Sequence, residues 1–393
     1  MDTNPYVTKQ KIEKTFSRGN VKPILTKLDV ELTELCNNNC IHCCINLPAN
    51  DLDAKNKELS AEEIKRILKE ALSLGCISVR FTGGEPLLRG DFEELYVFAR
   101  RSGLKVLIFT NATLMTTHLV KLFSNIPPLE KMEVSVYGMK KASYEAVTRV
   151  NGSFEAAFRG INLLLKNNVP FVVKGAILPS NKNEIDEFEK WTETIPWMMH
   201  KPPSYSMFFD LRCRRNGDKN QLIRKLRVLP EQGLKILTRR KDEYLKEMKQ
   251  FCSKFTRPPG DKLFSCGSGV GGGCVDAYGN FQPCLSLRHP DTVYNLKNGS
   301  LKDALENFFP KIREKKATNP EYLRRCAKCF LKGLCEQCPA KSWMEHGTLD
   351  TPVKYLCEVA HVQARFLELL KENEFAWEVK DWEGRIKEFT DKG

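Results

Sequence analysis

Three cysteines, Cys36, Cys40 and Cys43, stand in a C-x3-C-x2-C triplet within Cys36-Asn37-Asn38-Asn39-Cys40-Ile41-His42-Cys43. Thiolates at this spacing reach one metal site from a single loop. Structural zinc and closed iron–sulfur sites take four protein ligands. A triplet on a four-iron cube leaves one iron without a protein ligand, open to substrate. A partial zinc site, or unrelated buried thiols, would show the same spacing. Downstream lies Thr82-Gly83-Gly84-Glu85-Pro86. Its adjacent glycines let the backbone approach a ligand that a Cβ would obstruct.

Thiols return in the last third of the chain, as Cys266-x7-Cys274-x9-Cys284, then Cys326-x2-Cys329-x5-Cys335-x2-Cys338, then Cys357. Eight cysteines make two sets of four, the ligand demand of two closed cubes; two structural zincs are the alternative. Spacing alone permits Cys326, Cys329, Cys335 and Cys338 as one set. Cys44, Cys76 and Cys252 are read as bystanders.

The elements that must position these residues alternate between strand and helix. Strand patterns fall at 27–35, 77–81, 105–109, 132–136, 171–178 and 206–211. Helical periodicity covers 60–74, 91–101 and 154–166, with a capping box at Ser60-Ala61-Glu62-Glu63. Six such units predict an α/β fold with a parallel sheet curled into a partial barrel. The triplet follows the first strand and Thr82–Pro86 the second. Asn111 follows the third, and Ser135 ends the fourth. All therefore lie at the carboxyl ends of strands, the reactive face of a βα barrel.

The 393 residues, 41% hydrophobic, suffice for two domains. Expected units are a lead-in at 1–26, the barrel at 27–215, a bridge at 216–262 and a cysteine-rich domain with terminal helices at 263–393. The bridge holds a basic run from Arg214 to Arg227, a helical pattern at 231–249 and Pro258-Pro259-Gly260. The terminal stretch 375–392 is expected to lie across the barrel or fray. No apolar run reaches the roughly 18 residues of a membrane span, and the start has no signal-peptide core. A cytoplasmic protein is expected, with fifteen cysteines serving metal rather than disulfides. The net charge of +13 fits an anionic partner or a lysine-rich soluble surface.

Thr33-Glu34-Leu35-Cys36 with Cys40, His42 and Cys43 resembles the cluster loop of radical S-adenosylmethionine (SAM) enzymes. Thr82–Pro86 resembles the same family's methionine-binding motif. The resemblance implies a [4Fe–4S] cluster whose open iron chelates SAM. One electron then cleaves SAM to a 5′-deoxyadenosyl radical, which takes hydrogen from substrate. It implies that Gly83, Gly84 and Glu85 hold the amino end of SAM, that Ser135 contacts ribose and that Asn111 lines the pocket. Arg149 would lie near the SAM carboxylate, and His42 against adenine. Ser135 and Asn111 would otherwise cap helices, and Arg149 would otherwise form a surface ion pair. Asp210 and Cys213, ending the sixth strand pattern, are catalytic candidates. A thiol there would return hydrogen to a substrate radical, as in peptide epimerases of the superfamily.

The tail resembles the SPASM extension of such enzymes and implies two auxiliary [4Fe–4S] clusters, three clusters in all. By resemblance Cys266, Cys274, Cys284 and Cys338 hold one, and Cys326, Cys329, Cys335 and Cys357 the other. The family's Cys-x3-Cys is Cys-x2-Cys at Cys335–Cys338. Leu285 stands where sulfatase-maturating relatives place a catalytic acid, and leucine cannot act as a base. The implied substrate is a precursor peptide or protein, modified by crosslinking, thioether formation, epimerisation or oxidation. A flavodoxin- or ferredoxin-type reductase is implied. A separate leader-binding protein would serve where no leader-binding domain precedes the triplet. The alternatives are a small-molecule or haem-type substrate, and a non-enzymatic RNA-binding module. No nucleic acid or membrane partner is expected.

Overall fold

The computed structural model describes residues 24–43, 45, 47–199, 203–207, 217–255 and 259–391. Asp210, Cys213 and Cys44 lie outside the described residues. Six parallel strands follow one another in sequence order across the barrel. They are β1 (Leu25–Thr33), β2 (Ser78–Gly83), β3 (Lys105–Thr110), β4 (Met132–Val136), β5 (Phe171–Ala176) and β6 (Ser204–Ser206). Side chains alternate across each strand. Val106 and Ile108, Met132 and Val134, and Phe171 and Val173 are buried on the outer face; their neighbours point into the barrel and stay partly open.

The outer face is covered by α1 (Ala61–Ser73), α2 (Phe92–Arg101), α3 (Thr117–Asn125), α4 (Lys141–Thr148), α5 (Ser153–Lys166) and α6 (Ile185–Thr192). The capping box at Ser60 and Glu63 is present and starts α1 one residue after the cap. Phe81, Phe92, Tyr96 and Phe123 meet ring to ring between sheet and helices. Each such buried ring contributes about 1.5–3 kcal/mol.

The tail does not start a separate sheet. β7 (Gly271–Val275) adds to the free edge of β1 in parallel, with Asp29 opposite Cys274 and Val30 opposite Val275. β8 (Asn280–Gln282) and β9 (Tyr294–Asn295) then continue antiparallel, giving the order β9-β8-β7-β1-β2-β3-β4-β5-β6. Phe264, Val275, Phe281 and Phe309 share one apolar core with Leu28 and Val30. Gly273 is required there, because a Cβ would stand 2.4 Å from the Phe281 ring.

A second core gathers α8 (Pro230–Leu237), α9 (Lys241–Phe255), α11 (Lys354–Phe366) and α12 (Trp382–Asp391) around Tyr244, Phe330, Ala364 and Leu370. The helix expected over 231–249 is two helices, parted by a 3-10 turn at Thr238–Arg240. The end of the chain packs on α9 rather than across the barrel. The basic run is partly neutralised: from α7 (Gly217–Leu226) and just beyond, Arg224 and Arg227 both pair with Glu345 on α10 (Pro339–His346). Among the described residues, no helix is long and apolar enough to cross a membrane.

Candidate active site

The cysteine triplet leaves the end of β1 and is closed by a two-residue ladder, Leu35–Cys36 against Leu47–Pro48. Its middle is tied to two other strand ends. Asn37 donates to Thr113 Oγ1 at 2.7 Å and accepts from Asn111 Nδ2 at 3.0 Å. The Asn39 and Ile41 amides donate to Thr148 and Val147 carbonyls at the end of α4, at 2.9 and 3.0 Å. Asn111 Nδ2 also lies 3.9 Å from Cys36 Sγ. Burial pushes the Cys36 thiol up to about 12 and raises Cys40 well above its usual range. Thiols in such surroundings become thiolates at neutral pH only when a metal replaces the proton. Three thiols carried on one short loop are the donor type that an iron–sulfur cluster takes.

Gly83 and Gly84 press on the loop's entry rather than on open space. A Cβ on Gly83, which has φ +124°, would stand 2.1 Å from the Thr33 carbonyl oxygen, and one on Gly84 would stand 2.1 Å from that of Leu35. The Gly84 and Glu85 amides donate to these same carbonyls at 2.7 and 2.9 Å. The Glu85 carboxylate turns inward: it accepts from Thr110 Oγ1 and the Asn111 amide, both at 2.8 Å, and from the Leu87 amide at 3.1 Å. Burial raises its pKa to about 7 against these donors. Glu85 thus locks the loop after β3 to the loop after β2.

Ser135 is half-buried on β4, opposite Lys174 of β5, and half-buried Tyr137 follows it by two on the same side. His42 meets the Tyr137 ring edge-on at 5.1 Å between centroids, and burial lowers its pKa to about 4. Tyr137 carried no role in the sequence reading, although it follows Ser135 by two and shares its face. Arg149 takes a left-handed conformation (φ 55°) after α4, where its amide closes the helix on Glu145. Its side chain is exposed and forms no ion pair among the described residues.

Below this mouth runs a charged lane. Asp29 pairs with Arg80 at 3.2 Å, and Glu133 pairs with Lys174. Both cations lean on Phe109, 4.8 and 5.2 Å from its ring centroid. Lys174 lies in register with Ser135, and Asp29 with Cys274. Arg80 and Lys174 keep 31% and 43% of their side-chain surface open. Next to the lane, fully buried Glu31 takes a two-pronged bond from Arg288, at 2.8 Å to each oxygen, and Arg288 reaches Asp276 at 3.4 Å. Tyr278 donates to Glu34 at 2.7 Å. Tail and barrel are therefore clamped together beside the triplet.

Four tail thiols, Cys326, Cys329, Cys335 and Cys357, line one pocket. Cys338, half-buried before α10, does not line it. Cys274 is buried on β7, and Cys266 is exposed, 3.1 Å from Ser268 Oγ. Cys76 and Cys252 are buried, Cys76 bonded to the Ser78 carbonyl at 3.2 Å and Cys252 in the apolar cluster on which Cys329 and Cys335 pack.

Residues 30–195 match the family model of the Radical SAM superfamily. The AdoMet-dependent heme synthase of Methanosarcina barkeri is 26% identical over 337 residues, 81% of this chain and 92% of that protein. The solved structure of anSMEcpe with bound AdoMet has a TM-score of 0.63 at 17% identity, over 92% of this chain and 98% of that one; the same protein is also known with a bound Cp18Cys peptide. Streptococcus suis SuiB bound to S-adenosylmethionine gives 0.56 at 16% identity, over 88% and 80% of the two chains. These structural likenesses establish the fold. By its domain match and its cysteine triplet, the stretch 30–195 is a radical SAM domain, and the chain as a whole shares the fold of these two solved structures.

Proposed function

We propose that this enzyme removes a hydrogen atom from a residue of a ribosomally made peptide or a protein, leading to a crosslink, thioether, epimer or oxidised residue. Family membership brings AdoMet and one [4Fe–4S] cluster, which together supply a 5′-deoxyadenosyl radical when bound. The chain's residues do the rest. Cys36, Cys40 and Cys43 hold the cluster, and Asn37, Asn111 and Thr113 fix the loop that carries them. The Gly83–Gly84 backbone braces that loop. Ser135 and Arg149 orient the ribose and carboxylate of AdoMet. Cys326, Cys329, Cys335 and Cys357 hold one auxiliary cluster, and Cys266, Cys274, Cys284 and Cys338 the other. Electrons come from a flavodoxin- or ferredoxin-type reductase.

The observation that carries the peptide reading is the lane from Ser135 to Cys274. Its Asp29–Arg80 and Glu133–Lys174 pairs remain partly solvated. A peptide can exchange its own amide and side-chain hydrogen bonds with such a wall at little net cost. A flat apolar macrocycle would call for an apolar wall. The fold shared with peptide-binding anSMEcpe supports the same reading. A second reading is a carboxylate-bearing porphyrin. It draws on the 26% identity to a heme synthase over most of both chains. Arg80 and Lys174 would then take the substrate carboxylates.

The deciding experiment uses anaerobically reconstituted enzyme with dithionite and AdoMet. Peptides encoded beside this gene are tested against Fe-coproporphyrin III, reading 5′-deoxyadenosine and substrate mass. A mass change on a peptide supports the proposal. A mass change on the porphyrin alone overturns it in favour of the second reading.

A further inference from the structure

The cavity ringed by Cys326, Cys329, Cys335 and Cys357 has one thiol with side-chain donors on two sides. Arg325 Nη2 lies 3.4 Å from Cys357 Sγ. His361 Nδ1 lies 3.6 Å from the same sulfur and 2.8 Å from the Cys357 carbonyl oxygen. The Ala376 amide donates to His361 Nε2 at 3.3 Å. Nε2 is therefore an acceptor, and the ring proton sits on Nδ1, donated to the Cys357 carbonyl oxygen with the sulfur alongside at 3.6 Å. By contrast, the Cys335 thiol meets a main-chain group, the Leu356 carbonyl oxygen at 3.7 Å.

Both donors are held in place. Glu321 binds Arg325 at 2.5 Å, and the Trp377 ring lies 4.6 Å from its guanidinium. His361 rests edge-on against the same Trp377, 5.4 Å between centroids. Arg325, His361 and Trp377 all line the cavity. A wandering surface arginine would contribute little, but one fixed between a carboxylate and an indole acts as a permanent charge.

We infer that Arg325 and His361 tune the iron–sulfur cluster held in this cavity, raising its reduction potential through Cys357. The inference rests on the reading that these four cysteines ligate one cluster. A reduced cluster carries one more negative charge than an oxidised one. N–H donors on a ligand sulfur and a fixed cation beside it favour that added charge. The two side chains touch a ligand and not the substrate, so they act by positioning charge.

The test uses full-length holoenzyme, anaerobically reconstituted, titrated with dithionite and followed by electron paramagnetic resonance. Arg325→Gln and His361→Asn are expected to keep the wild-type iron content. One cluster signal should reduce at a more negative potential in each, while the other signals stay in place. Arg325→Lys keeps the charge but not the planar fork and should shift less than Arg325→Gln. Unchanged potentials with iron intact overturn the inference. His361→Asn and Arg325→Lys keep the test decisive should Arg325→Gln fail to fold. Cys357→Ala separates the underlying reading: if it loses neither iron nor a signal, the ligand set itself is wrong.

Discussion

Asn111 donates its side-chain amide to Asn37 at 3.0 Å, joining the end of the third barrel strand to the middle of the cysteine triplet. Glu85 holds the Asn111 main chain from the other side at 2.8 Å. The three loops at the mouth are thus one hydrogen-bonded unit. Losing a buried bond of this kind costs about 1–3 kcal/mol. Asn111→Ala should lower 5′-deoxyadenosine formation about tenfold or more, a barrier change of about 1.4 kcal/mol. Tail iron should be unaffected. Wild-type turnover in the variant would show that the bridge does not organise the site.

Gly84 admits no side chain. The added Cβ would stand 2.1 Å from one main-chain oxygen and 2.7 Å from another, and neither can swing aside as a side chain could. Overpacking against backbone costs about 1–3 kcal/mol or more. Gly84→Ala should therefore disturb the entry to the triplet and reduce iron at that site. Iron assay and Mössbauer spectra of the reconstituted variant read this directly.

Iron counts separate the three thiol groups. Fully reconstituted enzyme should carry about twelve irons, four for each cluster. Cys40→Ala should lose about four of them and all AdoMet cleavage. A wild-type count near four would remove the auxiliary clusters from the account.

The lane beneath the mouth offers a substrate test. Lys174→Gln and Arg80→Gln leave the triplet and Gly83–Gly84 untouched. Each should weaken substrate binding about tenfold, equivalent to about 1.4 kcal/mol, with AdoMet binding unchanged. Calorimetry with AdoMet, and KM for the productive substrate, distinguish the two effects. Equal loss of AdoMet binding would place the lane in the cofactor site instead.

Glu31 and Arg288 predict a stability effect. Removing one partner of a buried ion pair leaves the other uncompensated, at about 3–5 kcal/mol. Glu31→Gln should lower the melting temperature by several degrees, and Arg288→Met together with Glu31→Leu should recover part of that loss. Calorimetric scans of the three proteins check both steps.

The mouth of the barrel was legible in the sequence because each motif ends a strand with clear alternation. Met132–Val136 is an example, its burial following every second residue. β7 was not legible: three of its five residues are glycine, which weakens any strand pattern, and its partner β1 lies far away in sequence. The charged lane was hidden for another reason. Arg80, Glu133 and Lys174 alternate with apolar residues just as solvent-facing side chains would. Only closure of the sheet shows that their side of the strand faces inward. The 3-10 turn at Thr238–Arg240 interrupts a helical period that continues on both sides of it. The partition of the tail thiols came from resemblance, since spacing allowed Cys338 to join Cys326, Cys329 and Cys335. In the structure Cys357, and not Cys338, lines the pocket with the other three.

A strand shared between barrel and tail has a mechanical consequence. Cys274 sits on β7, in register with Asp29 of β1, the strand that leads on into Cys36. A flexible tether would let these two thiols wander by ångströms with every thermal excursion. Here the strand that carries Cys274 and the strand that leads into Cys36 belong to one sheet, so the two segments move as one body.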